Sequence, residues 1–236
     1  MDKWFVCLKH GNKYSAEYVN TLHSMFKRHA PGDVRFACYT ENRQNLNKDI
    51  EVFDLPTIGN VNGWWYKPLF FNPTIPTQGT VLFCDLDVVI FNDLTKFYTT
   101  WPGKFCTLRD FTRAMKPNWP KFNSSVFRLD TGTHSYVYDN FIKNPKEHMR
   151  RWHGDQDYIY DQVIKNNQPY QLYPDTWAES YKWEMRKGAS MARIDGVRNF
   201  VKLGHPNINK DTSIAVFHGQ PNPSQCQDPW VVDNWR

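Results

Sequence analysis

A short apolar run that ends in two acidic residues constrains the fold of this chain more than any other segment. Residues 81–84 are continuously apolar, which is typical of a strand covered on both faces. Asp85 and Asp87 follow at positions i and i+2, and a second apolar run, residues 88–91, comes next. Alternate residues of an extended chain point the same way, so the two carboxylates should project together, roughly 6–7 Å apart. The pattern predicts a central strand of an α/β sheet with an acidic site at its carboxyl end.

Two neighbouring carboxylates indicate a bound cation. Removing both from water is costly unless a positive charge compensates them, and a hard divalent metal that also holds phosphates is a natural partner. The alternative is a structural or capping pair. The D-x-D spacing alone is weak evidence, because it recurs at Asp155 and Asp157. The apolar context around Asp85 favours the metal site.

Composition narrows the functional classes. The 236 residues fit one α/β domain, and the net charge of +5 comes from scattered Lys and Arg without a basic stripe. A nucleic-acid partner is therefore not expected, whereas anionic phosphates suit the charge. No apolar run reaches the eighteen or so residues of a membrane helix, and the first residues do not resemble a signal peptide. We expect a cytoplasmic chain without a transmembrane segment, with peripheral membrane association as an open alternative.

Hydrophobic periodicity predicts alternating strands and helices. This order favours a mostly parallel sheet with the site at the strand carboxyl ends. Residues 176–212 read as an irregular elaboration around that site. The predicted strands are 4–8, 34–39, 51–55, 81–84, 88–91, 104–108, 123–129, 170–173 and 214–217, and the predicted helices are 15–29, 64–71, 135–143 and 155–165.

Six short segments carry a family resemblance through their order along the chain. They are residues 9–14 (KHGNKY), 65–67 (WYK), 84–87 (CDLD), 122–127 (FNSSVF), 154–156 (GDQ) and 217–221 (FHGQP). In this order the chain resembles glycosyltransferases with the GT-A fold, most closely the glycogenin-like and galactosyltransferase-like group called family eight. The resemblance implies a Rossmann-like single domain over 1–236, with nucleotide binding in about 1–100 and acceptor binding and closure in about 101–236.

The resemblance also implies residue roles. Asp85, Asp87 and His218 would hold Mn²⁺ or Mg²⁺, and Asp155 or Gln156 would face the sugar in a transfer that retains its anomeric configuration. The donor would be a nucleotide-diphosphate sugar, with UDP-hexose as the expected one, and the acceptor a carbohydrate, a lipid-linked molecule or a protein. Donor-binding residues would be His10, Tyr14, Lys67, Asp85, Leu86, Asp87, Asn123, Ser124, Lys182 and Gly219.

Five of these residues also have a purely structural interpretation. His218 could be a hydrogen-bonded histidine at a strand end, and Asp155 a plain helix N-cap. Asn123 could satisfy a sheet end, Tyr14 could be a helix-start staple and Lys67 a solvated helix residue. The Trp64–Trp65 pair reads as core rather than as a carbohydrate platform.

The chain departs from the family pattern after His218. The family often carries a lysine near the pyrophosphate there, and this chain has Asn222 instead. Lys182, Arg186 and Lys187 are the candidates to replace that charge, and the sequence does not choose among them.

Two other functional classes compete. Residues 83–87 also imitate the nucleophile strand of haloacid-dehalogenase-type phosphohydrolases, although that strand usually lies near the chain start and its partner acids are spaced differently. The missing lysine alternatively fits a degenerate domain that binds sugar nucleotides without turning them over.

Overall fold

The computed structural model describes residues 1–194 and 197–236. The strands are β1 Lys3–Lys9, β2 Val34–Thr40, β3 Glu51–Asp54, β4 Thr80–Cys84, β5 Val88–Ile90, β6 Phe105–Arg109, β7 Phe122–Asp130, β8 Tyr170–Leu172, β9 Ala178–Ser180, β10 Arg186–Lys187, β11 Ser190–Ile194, β12 Val197–Lys202, β13 His205–Pro206 and β14 Ile214–Val216. The α-helices are α1 Ala16–His29, α2 Thr95–Thr99, α3 Tyr136–Lys143, α4 Pro145–Arg151, α5 Asp155–Lys165 and α6 Pro229–Asn234.

A seven-stranded sheet forms the centre of the molecule, in the order β3-β2-β1-β4-β7-β6-β8. Strands β1 to β4 are mutually parallel, and β6 and β8 are parallel to each other. Strand β7 runs antiparallel to both of its neighbours. The predicted mostly parallel α/β sheet is therefore confirmed, with one inverted strand. The connection from β6 to β7, residues 110–121, contains the 3₁₀ turn Phe111–Ala114 and no α-helix. Because a parallel return needs a crossover, which is usually an α-helix, β7 runs antiparallel to β6.

Alternating side chains of β1 show how the core is divided. Phe5 and Cys7 pack with the apolar face of α1, while Trp4 and Val6 pack with residues of α3, α5 and a 3₁₀ helix at Gly63–Phe71. Both sheet faces are thus covered, as the continuous apolar runs indicated. The polar residues that follow the strands are left at the sheet's carboxyl edge.

A second, three-stranded sheet joins the late part of the chain to that edge. Its order is β5-β14-β9, and β14 is antiparallel to β5 and parallel to β9. Beyond the last paired residues, the amide of Phe217 donates to the carbonyl oxygen of Asp87 at 2.8 Å. This pairing places His218 and Gly219 beside the D-x-D segment.

Two elements differ from expectation. The predicted α-helix at 64–71 is the 3₁₀ helix Gly63–Phe71, and Pro68 within it lacks the amide hydrogen that an α-helical bond requires. The interval 176–212, expected to be irregular, contains β9 to β13. Helices α2, α4 and α6 are too short to give a clear hydrophobic period. Among the described residues, no helix combines the length and the apolar character needed to cross a membrane.

Candidate active site

A cavity of about 830 Å³ opens at the carboxyl ends of the central strands. Twelve of the thirteen predicted site residues line it, and the exception is Lys182. The lining comes from the loop after β1, the 3₁₀ helix, the segment between β4 and β5, the start of β7, the start of α5 and the residues after β14. The tertiary structure therefore brings together segments that lie more than two hundred residues apart in the chain.

The D-x-D carboxylates have different partners. The Tyr14 hydroxyl donates to Asp87 at 2.9 Å, whereas Asp85 pairs with the ammonium group of Lys67 at 2.9 Å. Burial, together with the neighbouring charge of Asp85, raises the pKa of Asp87 to about 6. Burial and the nearby Asp87 also raise the pKa of Tyr14 far above its usual value, so the hydroxyl keeps its proton and acts as a donor.

Lys67 is the central cation of the site. Its side chain is only 6% exposed and lies 3.5 Å from Asp155 as well as 2.9 Å from Asp85. Burial alone would lower the pKa of Lys67, but Asp155 and Asp85 outweigh burial and hold that pKa above its usual value. Lys67 also donates to the backbone carbonyl of Ser124 at 3.3 Å. It is thus a buried, charged link between the D-x-D segment and α5, not a solvated helix residue.

Asp155 is the first residue of α5, and Gly154 occupies the N-cap position. The interpretation of Asp155 as the N-cap is therefore wrong. Its carboxylate instead accepts a hydrogen bond from the Ser124 hydroxyl at 2.7 Å. Burial raises the pKa of Asp155, and the charge of Lys67 opposes that rise.

Gln156 is held in one orientation by three neighbours. Its carbonyl oxygen accepts from the side-chain amide of Asn123 at 2.8 Å and from the backbone amide of Ser124 at 3.2 Å. Its own amide donates to Asp110 at 2.6 Å. Because Asp110 has only acceptor oxygens when ionised, the Gln156 amide nitrogen must face it. The Asn123 side chain thus orients Gln156 in addition to satisfying its own strand end.

His218 lies against an aromatic wall. Its ring stacks on Phe111 with centroids 5.3 Å apart, and Nε2 lies 2.6 Å from the Ser180 hydroxyl. Burial, with a contribution from Lys182, lowers the pKa of His218 to about 4, so the imidazole is neutral at neutral pH. Gly219 follows with φ +87°, a conformation that favours glycine.

The residues fit a divalent cation in part. Asp85 and Asp87 supply hard oxygen ligands, and burial together with the charge of Asp85 raises the pKa of Asp87, a cost that a bound cation would relieve. His218 points its Nε2 at Ser180, and within residues 1–194 and 197–236 no three His, Cys, Asp or Glu side chains are arranged to enclose a metal ion. The pair of carboxylates is a suitable donor set, and the ligand role of His218 stays a prediction.

The three candidate cations occupy different environments. Arg186 forms a buried ion pair with Asp228 and is committed to the fold, and Lys187 is exposed on β10. Lys182 is buried, and its ammonium group donates to the carbonyl oxygen of His218 at 3.0 Å. A Cβ at Gly219 would come within 3.3 Å of that ammonium group. Of the three, Lys182 has the position nearest the cavity-lining segment His218–Gly219.

The loop after β1 forms the opposite wall. The amide of Gly63 donates to Nδ1 of His10 at 3.1 Å, and the His10 ring packs on Tyr66 with centroids 4.9 Å apart. The amide of Gly11 donates to the Glu41 carboxylate at 2.7 Å. Leu86, between the two acids, is buried in the core and shows only part of its surface to the cavity.

Sequence reasoning missed several residues at the site. Trp64, assigned to the core with its neighbour, is 50% exposed and lines the cavity, while Trp65 is buried at 6% exposure. Lys13 and His153 also line the cavity, and Asp110 lies behind Gln156. Lys13 lies within the motif segment 9–14 and His153 immediately precedes the segment 154–156, and this placement is the signal that would have found them. Asp110 carries no local signal.

Comparison with protein-family models and with curated proteins finds no match. Solved structures do match. The glycosyltransferase GlyE of Streptococcus pneumoniae TIGR4 aligns with a TM-score of 0.61 and 15% identity over 99% of this chain, and this chain spans only 62% of the GlyE chain. The galactosyltransferase LgtC, in complex with donor and acceptor sugar analogues, aligns with a TM-score of 0.61 and 13% identity, covering 98% of this chain and 95% of LgtC.

At these identities the similarity establishes the fold. The chain has the fold of these glycosyltransferases, which confirms the predicted GT-A class, an α/β fold with a mostly parallel central sheet. The haloacid-dehalogenase alternative is not favoured, because the fold match to glycosyltransferases covers 98–99% of this chain.

Proposed function

We propose that this chain is a metal-dependent glycosyltransferase that moves a hexose from a nucleotide-diphosphate sugar, a UDP-hexose, to an acceptor with retention of configuration. The observation that carries the proposal is the meeting of Asp85 and Asp87 with Lys67, Asp155 and Gln156 in one 830 Å³ cavity of this fold. A cavity of this size is suited to a nucleotide sugar. A glycosyltransferase must bind the anionic diphosphate and also stabilise an oxocarbenium-like anomeric centre. Asp85 and Asp87 would serve the first task through a metal ion, and Asp155 and Gln156 would serve the second.

The donor diphosphate belongs beside Asp85 and Asp87. A bound Mn²⁺ or Mg²⁺ would neutralise the departing diphosphate as a Lewis acid. Tyr14 fixes the orientation of Asp87, and Lys182 contributes positive charge from the side of His218. The loop of His10 and Tyr14, which lines the cavity after β1, would take the base.

The sugar belongs beside Asn123, Ser124, Asp155 and Gln156. The Gln156 carbonyl oxygen and the Asp155 carboxylate are negative groups held in place before any substrate arrives, so they can stabilise positive charge that develops at the anomeric carbon. One LgtC structure is of a variant with a glutamine-to-glutamate change in the active site, and Gln156 is the glutamine of this cavity. Covalent attack by Asp155 and front-face attack both remain compatible with this arrangement.

A thermal-shift panel tests the proposal. The chain would be melted with UDP, UDP-glucose, UDP-galactose and GDP-mannose, each with Mn²⁺ or with EDTA. A ligand that binds only the folded state, at a hundredfold excess over Kd, adds about 2.7 kcal/mol to the free energy of unfolding. The cognate donor should therefore raise Tm by several degrees in the presence of Mn²⁺ and not in the presence of EDTA.

Turnover assays then separate the three functional classes. Manganese-dependent release of hexose from the stabilising donor supports a transferase. Release of phosphate from p-nitrophenyl phosphate would instead indicate a phosphohydrolase. Donor binding without hexose release would indicate a degenerate binding domain. If none of the four nucleotides stabilises the chain, the proposal is contradicted.

A further inference from the structure

An exposed tryptophan faces the cavity from an otherwise buried aromatic segment. Within Gly63–Phe71, residues 65–71 are all buried, whereas Trp64 is 50% exposed. In the described part of the chain, the Trp64 indole has no ring–ring contact, and the nearest cation is the Lys13 ammonium group, 5.8 Å from the ring centroid. Because this large ring lines the cavity and is not packed in the core, its surface is open to contact with a ligand there.

The 3₁₀ geometry places Trp64 on the same side as Lys67. Side chains three residues apart eclipse each other in a 3₁₀ helix, and the rise of about 2.0 Å per residue separates them by roughly 6 Å. Lys67 points between Asp85 and Asp155. The indole of Trp64 therefore lies one turn away from the cluster that we assign to sugar transfer.

The indole also lies near the start of α5. A Cβ at Gly154 would lie 3.7 Å from Nε1 of Trp64, and Asp155 is the next residue. A ligand resting on this ring would therefore adjoin the Asp155 and Gln156 end of the cavity. An acceptor hydroxyl must reach that end, because the anomeric carbon of the donor lies there under the proposed function.

We infer that Trp64 is a stacking platform for a pyranose ring of the acceptor, which makes the acceptor a carbohydrate. This inference rests on the proposed function. The faces of an indole are electron-rich, and the axial C–H bonds of a pyranose carry the opposite partial charge, so the two surfaces attract as well as exclude water. A lipid tail would need a continuous apolar surface, whereas the neighbours of Trp64 in the cavity include Lys13 and His153.

The donor base is the competing occupant of this ring. Lys13 lies over both Tyr14, at 4.7 Å, and Trp64, at 5.8 Å, so the base loop is near. The proximity of the indole to Gly154 and the shared face with Lys67 favour the acceptor. The experiment must therefore measure sugar binding and UDP binding separately.

The test uses the full chain labelled with ¹⁵N at tryptophan, with Mg²⁺ present. The indole signal that is lost in Trp64→Phe identifies Trp64. Titration with methyl β-glucopyranoside, methyl β-galactopyranoside and lactose should shift this signal saturably for at least one sugar, and glycerol should not. Saturation transfer to the sugar should show Kd weakened about tenfold in Trp64→Ala and within about threefold of the parent in Trp64→Phe, since stacking is worth about 0.5–1.5 kcal/mol.

Trp101→Ala is the matched control, because Trp101 is 39% exposed and lies outside the cavity lining. It should leave sugar binding unchanged. Two results would overturn the inference: no pyranoside shifts the Trp64 signal while UDP still binds, or Trp64→Ala weakens UDP binding and leaves sugar binding intact. Failure of the proposed function looks different, because then UDP fails to stabilise the parent chain in the thermal-shift panel.

Discussion

The ammonium group of Lys67 lies 2.9 Å from a carboxylate oxygen of Asp85, so the first acid of the D-x-D segment is already half of a buried ion pair. The same ammonium group reaches Asp155 at 3.5 Å. One cation therefore fixes the positions of two acids from different parts of the chain, and removing it should affect both stability and function.

Lys67→Met should lower the free energy of unfolding by about 3 kcal/mol at neutral pH, because it leaves two carboxylates buried without their cation. Urea denaturation measures this loss. Lys3→Met is the control, since Lys3 pairs with Asp33 on the surface, and its midpoint should be close to that of the parent. A Lys67→Met midpoint equal to the control's would show that Lys67 does not compensate the acids.

Asp87→Ala should abolish the stabilisation that UDP gives in the presence of Mn²⁺, because the diphosphate and the remaining carboxylate then lack a bound cation between them. The metal-free variant should still fold cooperatively. Thermal shift with UDP and Mn²⁺, compared with EDTA, measures the effect. If the variant responds to UDP and Mn²⁺ as strongly as the parent, Asp87 is not a metal ligand.

Asp87→Asn should stabilise the metal-free protein above about pH 6. The folded-state pKa of Asp87 is raised to about 6, so the folded chain binds the proton more tightly than the unfolded chain. The free energy of unfolding from this group therefore falls as pH rises from about 4 to about 6, and the full cost is present above that range. Asn carries no such charge, and its carbonyl still accepts from Tyr14. We expect a gain of about 1–2 kcal/mol at about pH 7.5 and little change near pH 4.

Chemical denaturation at the two pH values measures the difference between Asp87→Asn and the parent. A gain of the same size at both values would point to packing rather than to the carboxylate charge. If Asp87→Asn were less stable than the parent at the higher pH, another group would have to compensate the charge of Asp87.

His218→Ala should weaken Mn²⁺ binding and hexose transfer more than it lowers the stability of the metal-free chain. The pKa of His218, lowered to about 4, keeps the imidazole neutral, which is the form that binds metals. Ser180→Ala is the informative control, because it removes the partner of Nε2 and should leave Mn²⁺ binding intact. A large loss of metal-free stability in His218→Ala with unchanged Mn²⁺ affinity would identify a structural histidine.

Asp155→Asn should preserve the melting temperature and UDP affinity and reduce hexose transfer by about a hundredfold or more. The amide can still accept from Ser124, and Lys67 keeps its partner Asp85. A neutral amide attacks carbon poorly and stabilises developing positive charge less than a carboxylate does. Steady-state transfer from the donor that the thermal-shift panel identifies measures the effect. Full activity in this variant would remove Asp155 from the mechanism.

The sequence predicted the strands more accurately than the connecting segments. Strand β4 and the acids after it were predictable because a buried strand leaves a continuous apolar run, and the break in that run marks the sheet edge. The order of the six motif segments then gave the fold. The sequence did not show which of Trp64 and Trp65 is exposed. An α-helix and a 3₁₀ helix turn adjacent side chains by different angles, and the packed structure establishes that this segment is a 3₁₀ helix with Trp65 buried.

Local pattern in this sequence determined the α/β architecture, the acidic edge of β4 and the set of polar residues near it, because strand and helix periods are written in neighbouring residues. The tertiary structure alone decided how those residues are paired. Gln156 is oriented by Asp110, 46 residues away, and His218 is held by Ser180, 38 residues away. Lys182 rather than Arg186 lies beside His218 because Asp228 holds Arg186. Such contacts depend on which strands become neighbours, and no local pattern encodes that choice.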